Sequence, residues 1–415
     1  MKKILFISYD GMTDPLGQSQ VIPYIIGLTK YGYQFTILSC DKPDRYRQHK
    51  EYVLQLLNGY PVEWVSIPYH KRPTVLSSIY DHWHLKMKSK KLHHKHRYDM
   101  VHTRPGVPTL VGLWLKKKYG IRFLNDVRGF WADERVDGGM WDLKKPVFKK
   151  IYHFFKRHEY ECLEKADQVT CLTHAAKKEM QSWKNIAGQP LTMEVIPCSA
   201  DLHLFNPAAI SLSVKEHFKK FLQISDTDVI FSYLGSIGGW YLEEEMMRFC
   251  KVLSDKIPAS RFLFISPHRH EKIIAAAQKS GLSEKKIITI TAARHEVPVL
   301  LSFSRYSLFF IKPCYSKISS SPTKHGEIMA MGVPVITNSG VGDVKEIVEK
   351  YQAGFVIDDF SDSAFDILAG KIAASPAFDS SAIRQAAMEY YDLDKAVATY
   401  AKVYEKALSV QKQTV

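Results

Sequence analysis

The densest set of chemistry-bearing residues runs from Ser319 to Asp343, SSSPTKHGEIMAMGVPVITNSGVGD. A polar loop containing Ser321 and Thr323 leads into a helix expected from about His325 to near Gly332. Pro334 then opens a buried strand ending at Asn338. Amides at a helix's amino end carry an effective charge of about +0.5 and attract phosphate oxygens. Lys324, expected just before that end, adds a full positive charge. Glu327, in the first turn, has the two acceptor oxygens that a pair of ribose hydroxyls requires. The spacing alone fits equally well with a Glu327 that only favours the helix dipole and a Lys324 that only meets water. A second phosphate candidate is Tyr233–Tyr241, YLGSIGGWY, where Gly235, Ser236 and Gly238 follow an apolar run and a backbone can approach a ligand closely.

The first half has its own cluster, NDVRGFWADERVDGG from Asn125. Asp126, Arg128, Asp133, Glu134 and Arg135 fall within ten residues, beside Phe130 and Trp131. They describe either a structured polar site or a surface loop of ion pairs worth about 0–1 kcal/mol each. Arg128 has the donor geometry for a phosphate or an anionic acceptor. Metal chemistry finds little support. His93–His96 has no Cys or carboxylate at ligand spacing, and Asp392-Leu393-Asp394 sits at a helix start, where Asp is a natural cap.

The elements that must position these residues repeat as strand, loop, helix. Candidate strands are Ile4–Ser8, Gln34–Ser39, Val62–Ile67, Met100–Thr103, Arg122–Asn125 and Gln168–Leu172, with a helix over Gln20–Tyr31. The pattern restarts at Val195–Pro197. A polar stretch with little periodicity, Cys198–Pro207, follows and makes 195–207 the hinge candidate. Strands Val229–Leu234, Arg261–Ile265, Ile287–Ile290, Leu308–Ile311, Val333–Thr337 and Gly354–Ile357 come next, and a helix Leu393–Leu408 closes the chain. Short apolar runs joined by helices predict an α/β protein of two doubly wound parallel-sheet, Rossmann-like domains, at 1–200 and 208–390, facing across a cleft. In such sheets ligands sit at the carboxyl ends of the strands.

Composition narrows the class. The 415 residues are 46% hydrophobic and 24% charged, an ordinary globular balance. Six Cys without a CxxC pair suit a reducing compartment. Ile4–Ile7 is too short for a signal or span, so a soluble or peripheral cytoplasmic protein is expected. The net charge of +14 is concentrated: residues 1–200 hold 32 Lys and Arg against 19 Asp and Glu. Lys86–Arg97 and Lys144–Arg157 carry much of it. The second also has Phe148, Ile151, Tyr152 and Phe155 at helical spacing, a stripe read as core with a solvated basic face. A cationic half suits nucleic acid, an anionic membrane surface or an anionic substrate. No Walker A or RNA-binding signature accompanies it.

The stretch EIMAMGVPV, Glu327–Val335, resembles the donor-site signature of the GT-B glycosyltransferases of family 4 (glycosyl transferases group 1). The resemblance implies that Glu327 holds the ribose of a nucleotide-diphosphate sugar. That family's motif has an earlier Glu touching the donor sugar, where this chain has Ser319. Pro322, Lys324 and Glu327 resemble a subset with Pro-x-Lys-x-x-Glu. The family usually places an Arg and a Lys in the glycine loop, where Ser236 and Trp240 stand here, so Lys324 and Arg269 become the candidate cations. Many members have a His at the end of the strand that here carries Asp126, which implies contact with donor sugar or reaction centre. DPLGQSQV resembles the family's first glycine loop. Gly17 would allow close approach there, and Gln18 and Gln20 would bond acceptor hydroxyls; Asp14 also suits a helix N-cap or turn. Val195–Pro207 resembles the interdomain connector, and the end of the chain, about 393–415, a helix packing back on the first domain. The implied activity is metal-independent, retaining transfer to a glycan or lipid-diphosphate-linked acceptor in polysaccharide assembly, with Lys324 and helix amides stabilising the leaving diphosphate and anionic membrane contact through the basic segments. An epimerase on this scaffold, an inactive GT-B partner subunit and a nucleic-acid-binding protein are the competing readings.

Overall fold

The structure, a computed structural model, describes residues 1–186, 188, 191–267 and 269–409. The chain divides after Pro197 and again after Asp392 into two compact units.

The first unit combines Met1–Pro197 with the segment from Leu393. Its sheet has seven parallel strands: β1 (Lys2–Ser8), β2 (Tyr33–Asp41), β3 (Val62–Pro68), β4 (Met100–Thr103), β5 (Arg122–Val127), β6 (Gln168–Cys171) and β7 (Met193–Val195). They lie in the order β3-β2-β1-β4-β5-β6-β7. Helices cover both faces of such a sheet, which is why its middle strands read as unbroken apolar runs: Ile4, Leu5, Phe6 and Ile7 are all buried. The order reverses between β1 and β4, so the loops after these two strands flank the ligand-binding crevice of the fold. Val195–Pro197, expected to restart the pattern, instead ends the first one: β7 pairs in parallel with β6 through Val169 and Met193. The helix expected over Gln20–Tyr31 is two, Pro15–Gln20 and Ile22–Thr29. They part at Val21, and Pro23 lies in the first turn of the second, where its missing amide costs nothing.

The closing helix, Leu393–Ser409, packs on Ile22–Thr29 and on β5 and β6. Gly27 makes the approach possible, since a Cβ there would lie 2.7 Å from a methyl of Val397. Residues 410–415 of the expected terminal segment lie outside the described residues.

The second unit, Cys198–Asp392, has six parallel strands: β8 (Val229–Leu234), β9 (Ser260–Ile265), β10 (Ile287–Ile290), β11 (Ser304–Leu308), β12 (Val335–Asn338) and β13 (Gly354–Ile357), in the order β10-β9-β8-β11-β12-β13. Its reversal lies between β8 and β11. The strand expected at Leu308–Ile311 is displaced towards the amino end. Its true residues include Ser304 and Ser307, whose hydroxyls are satisfied inside the sheet by the Ser232 hydroxyl (2.8 Å) and carbonyl (3.2 Å). Phe309–Ile311 are buried beyond the strand, and the Ile311 amide donates to the Asn338 side chain at 2.8 Å instead of to a ladder partner.

Candidate active site

The strongest constellation lies in the second unit, where β8 meets the helix Thr323–Ala330. This helix starts two residues earlier than expected: Pro322 is extended, and its carbonyl accepts from the His325 amide at 3.0 Å. Lys324 is therefore inside the first turn rather than before it, and only 7% exposed. Its ammonium donates to the Tyr233 hydroxyl at 3.3 Å. It also stands 4.3 Å and 3.7 Å from the ring centroids of Tyr233 and Tyr241. Glu327, one turn on, is ion-paired not with Lys324 but with Arg294, at 2.9 Å and without hydrogen-bond alignment. Burial pushes the Lys324 ammonium down to about 7, against the opposing pull of Glu327. Burial also raises the Glu327 carboxyl, with Arg294 and Lys324 opposing. A lysine so placed is poised to take up a proton when an anion arrives.

The glycine loop closes on the same lysine. Gly235 has φ +117°, and a Cβ there would lie 2.9 Å from the Lys324 ammonium, so glycine alone fits. Ser236 is exposed, and its carbonyl accepts from the Tyr233 hydroxyl. Gly238 abuts the exposed Arg269, whose guanidinium donates to the Ile237 carbonyl at 3.1 Å. A cation that the sequence did not mark, Lys317, rests its ammonium 3.8 Å from the centroid of the Trp240 ring. Ser321 accepts from the Cys198 amide at 3.2 Å, and Thr323 is the first helical residue. Ser319 is buried, with its hydroxyl donating to the Ser316 carbonyl at 2.8 Å. The structure thus gathers Lys324, Glu327 and Gly235, pairs Gly238 with Arg269, and adds Tyr233, Tyr241, Arg294 and Lys317. Lys317 lies in the loop that leads into the helix Thr323–Ala330, whereas no spacing rule ties Tyr233, Tyr241 or Arg294 to Glu327.

In the first unit, Asp126, Arg128 and Gln20 also come together, but inside the protein. Asp126 is 2% exposed. One oxygen accepts from Thr170 (2.8 Å) and Tyr400 (3.1 Å); the other lies 3.4 Å from His102 and 3.8 Å from Arg128. Burial opposes its charge, but Arg128, His102 and Arg104 outweigh it and hold the carboxyl well below the usual range. Arg128 donates to the Gln20 side chain at 3.1 Å and to the Tyr400 hydroxyl at 3.3 Å. His102, kept neutral by burial, meets the Tyr404 hydroxyl at 2.7 Å. Asp126 and Gln20, expected to meet sugar, are thus turned inward, Asp126 onto the closing helix and Gln20 onto Arg128 and Tyr24. Tyr400 and Tyr404, four residues apart on one helix face, were the signal for this in the sequence.

Gly17 is explained locally, since a Cβ would lie 2.4 Å from the Gly11 carbonyl. Gln18 reaches the Thr13 carbonyl at 3.4 Å. Asp14 precedes the helix Pro15–Gln20 and is paired with Lys42 and Arg45. Asp133 is held by Tyr152 and Lys156 at 2.8 Å and 2.7 Å. Among the described residues, no group of three or more His, Cys, Asp or Glu is placed to hold a metal.

The family model described as Glycosyltransferase Family 4 matches residues 24–204, and that described as Glycosyl transferases group 1 matches 214–386. No curated protein matches the chain significantly. Among solved structures, sucrose-phosphate synthase from Thermosynechococcus elongatus is similar with a TM-score of 0.74 and 16% identity, covering 99% of this chain and 100% of that one. Anabaena HepE in complex with UDP-glucose has a TM-score of 0.68 at 13% identity, covering 98% and 100%. WaaG, a glycosyltransferase involved in lipopolysaccharide biosynthesis, has a TM-score of 0.63 at 14% identity, covering 99% and 100%. Two Rossmann-like units with these sheet orders, each matched by a glycosyltransferase model, place the chain among the GT-B glycosyltransferases, with a family 4 first half and a group 1 second half.

Proposed function

We propose that this glycosyltransferase moves a sugar, with retention, from a nucleotide-diphosphate donor to a glycan or lipid-linked acceptor in polysaccharide assembly, at the cytoplasmic face of a membrane. The observation that carries the donor assignment is Lys324: a lysine buried against Gly235 and two tyrosine rings, its neighbouring carboxylate engaged by Arg294. A buried cation without its own counter-ion is costly until a ligand supplies one. That HepE is complexed with UDP-glucose, and that WaaG is involved in lipopolysaccharide biosynthesis, supports the donor and acceptor classes.

In this reading Glu327 accepts the ribose hydroxyls, and the diphosphate lies between Gly235 and the first turn of Thr323–Ala330. The bond from the anomeric carbon to the diphosphate oxygen breaks as one forms to the acceptor oxygen on the same face, and the acceptor's proton passes to the departing phosphate. Negative charge grows on the diphosphate. Lys324, Lys317 and Arg269 meet it, rather than a metal, and a cation already in place needs no reorganisation when the charge appears. The first unit holds the acceptor, with Arg128 and Asp126 positioning its loops.

A thermal-shift screen across nucleoside diphosphates tests donor binding, and proton NMR of the product tests stereochemistry. Stabilisation by one nucleoside diphosphate and a product of the donor's anomeric configuration are expected. An inverted product would reject retention, and no stabilisation by any nucleotide would reject the donor site.

A further inference from the structure

The helix Thr74–His96 is amphipathic the wrong way round. A helix covering a sheet normally turns its apolar residues inward. Here Ser77, Asp81 and Ser89 are buried with Leu85 and Leu92, while Leu76, Ile79, Tyr80, Trp83 and Met87 are 43–65% exposed. These five follow the i, i+3, i+4, i+7 spacing of a single helical face. Asp81 is satisfied there: it accepts from the Tyr9 hydroxyl (2.9 Å) and the His70 amide (3.1 Å). Because Tyr9 follows β1 directly, the apolar half of the helix is fixed beside the carboxyl end of that strand, next to the crevice of the first unit.

Continued towards the carboxyl end, the same outward face becomes cationic, with Lys91 and Lys95 exposed. Lys86–Arg97 holds six Lys and Arg and no acidic residue, and exposed Lys71 and Arg72 flank the other end. A neighbouring helix, Pro146–Lys165, packs on the same Val107–Tyr119 helix and repeats the combination. It exposes Val147 and Phe154 among Lys149, Lys150 and Arg157. The expected stripe itself, Phe148, Ile151, Tyr152 and Phe155, is half-buried; Val147 and Phe154 lie outside it. No described helix is long and apolar enough to cross a membrane.

We infer that the face Leu76–Met87 inserts into the interfacial layer of an anionic bilayer, with the flanking cations on the lipid phosphates. A protein groove would take the apolar stripe as well, but would leave two cationic clusters on one layer unmatched; an anionic surface answers both. Tyr80 and Trp83 are the side chains suited to that depth. The inference deepens the reading above by naming the surface that meets a lipid-linked acceptor's membrane, and rests on that reading only for why a bilayer is near.

The test is flotation of the full chain with phosphatidylcholine vesicles, with and without phosphatidylglycerol, at low and high salt. The wild type is expected to float with the anionic vesicles at low salt and to be released by high salt. Ile79→Asp combined with Trp83→Asp is expected to weaken partitioning about tenfold or more while leaving the melting temperature unchanged, because both side chains are exposed. Lys91→Glu with Lys95→Glu is expected to weaken it too. The inference is overturned if the wild type stays behind at low salt, if the Ile79/Trp83 variant floats like the wild type, or if the stripe instead mediates self-association by light scattering. Calorimetric nucleoside-diphosphate binding on the same samples separates the two readings. Intact binding without flotation rejects the membrane face alone; flotation without nucleotide binding rejects the donor site alone.

Discussion

Lys324 stands where a lysine is ordinarily excluded, and that cost links stability to function. Its ammonium titrates near 7 in the fold against an ordinary 10.5. Between those values the unfolded chain holds a proton that the folded chain lacks, so this residue makes stability rise as pH rises through that window. Lys324→Met keeps most of the volume and removes the charge. The ligand-free variant is expected to melt a few degrees higher than wild type at neutral pH, to lose that part of the pH slope, and to lose the shift induced by nucleoside diphosphate; differential scanning calorimetry across pH reads all three. Glu327→Ala removes both acceptor oxygens for the ribose and leaves Arg294 unpaired. A nucleoside-diphosphate affinity at least about tenfold weaker is expected by titration calorimetry. Gly235→Ala would put a methyl 2.9 Å from the Lys324 ammonium at a φ that disfavours side chains, and should weaken diphosphate binding and stability together.

At the scale of elements, the closing helix belongs to the first unit because apolar packing and buried hydrogen bonds fasten it there. Tyr400 and Tyr404 reach Asp126 and His102, and Val397 fits Gly27. Asp126→Asn leaves Arg128 without its buried counter-charge and should cost about 3 kcal/mol in urea denaturation at neutral pH. The folded carboxyl is depressed, so its contribution is present above the ordinary carboxylate pKa and fades as pH falls. The difference between wild type and variant should therefore shrink below about pH 4. Much of this level was legible. The apolar runs of Met100–Thr103, Val229–Leu234, Ile287–Ile290 and Gly354–Ile357 give the observed strand bounds without correction. β11 was not, because its serines are satisfied by Ser232 and read as loop. The Gln20–Tyr31 helix was not, because period alone does not show the break at Val21.

Across the whole molecule, charge is divided: the first half carries the cationic excess and the second is nearly neutral. Lys324, Glu327 and Gly235 were legible as candidates because helix amino ends and glycine loops have fixed chemistry, and the structure gathers them in one place. Arg294 was not, since it follows β10 and meets Glu327 only through the fold, and the rings of Tyr233 and Tyr241 against the Lys324 ammonium are likewise a tertiary contact. The inward turn of Asp126 had only the Tyr400–Tyr404 pair as a signal, 274 residues from Asp126 at its nearer end.

The measurement that tests the central claim most directly is titration of nucleoside diphosphate into wild type and Lys324→Met at about pH 8, in buffers of different ionisation enthalpy. At that pH the unliganded lysine is mostly neutral, so a diphosphate seated against it must draw a proton from the buffer. Wild type is expected to show an apparent enthalpy that varies with the buffer by nearly one proton per diphosphate, and Lys324→Met to show none. Tight binding by the wild type with no buffer dependence, or equal affinity in the variant, would contradict the account.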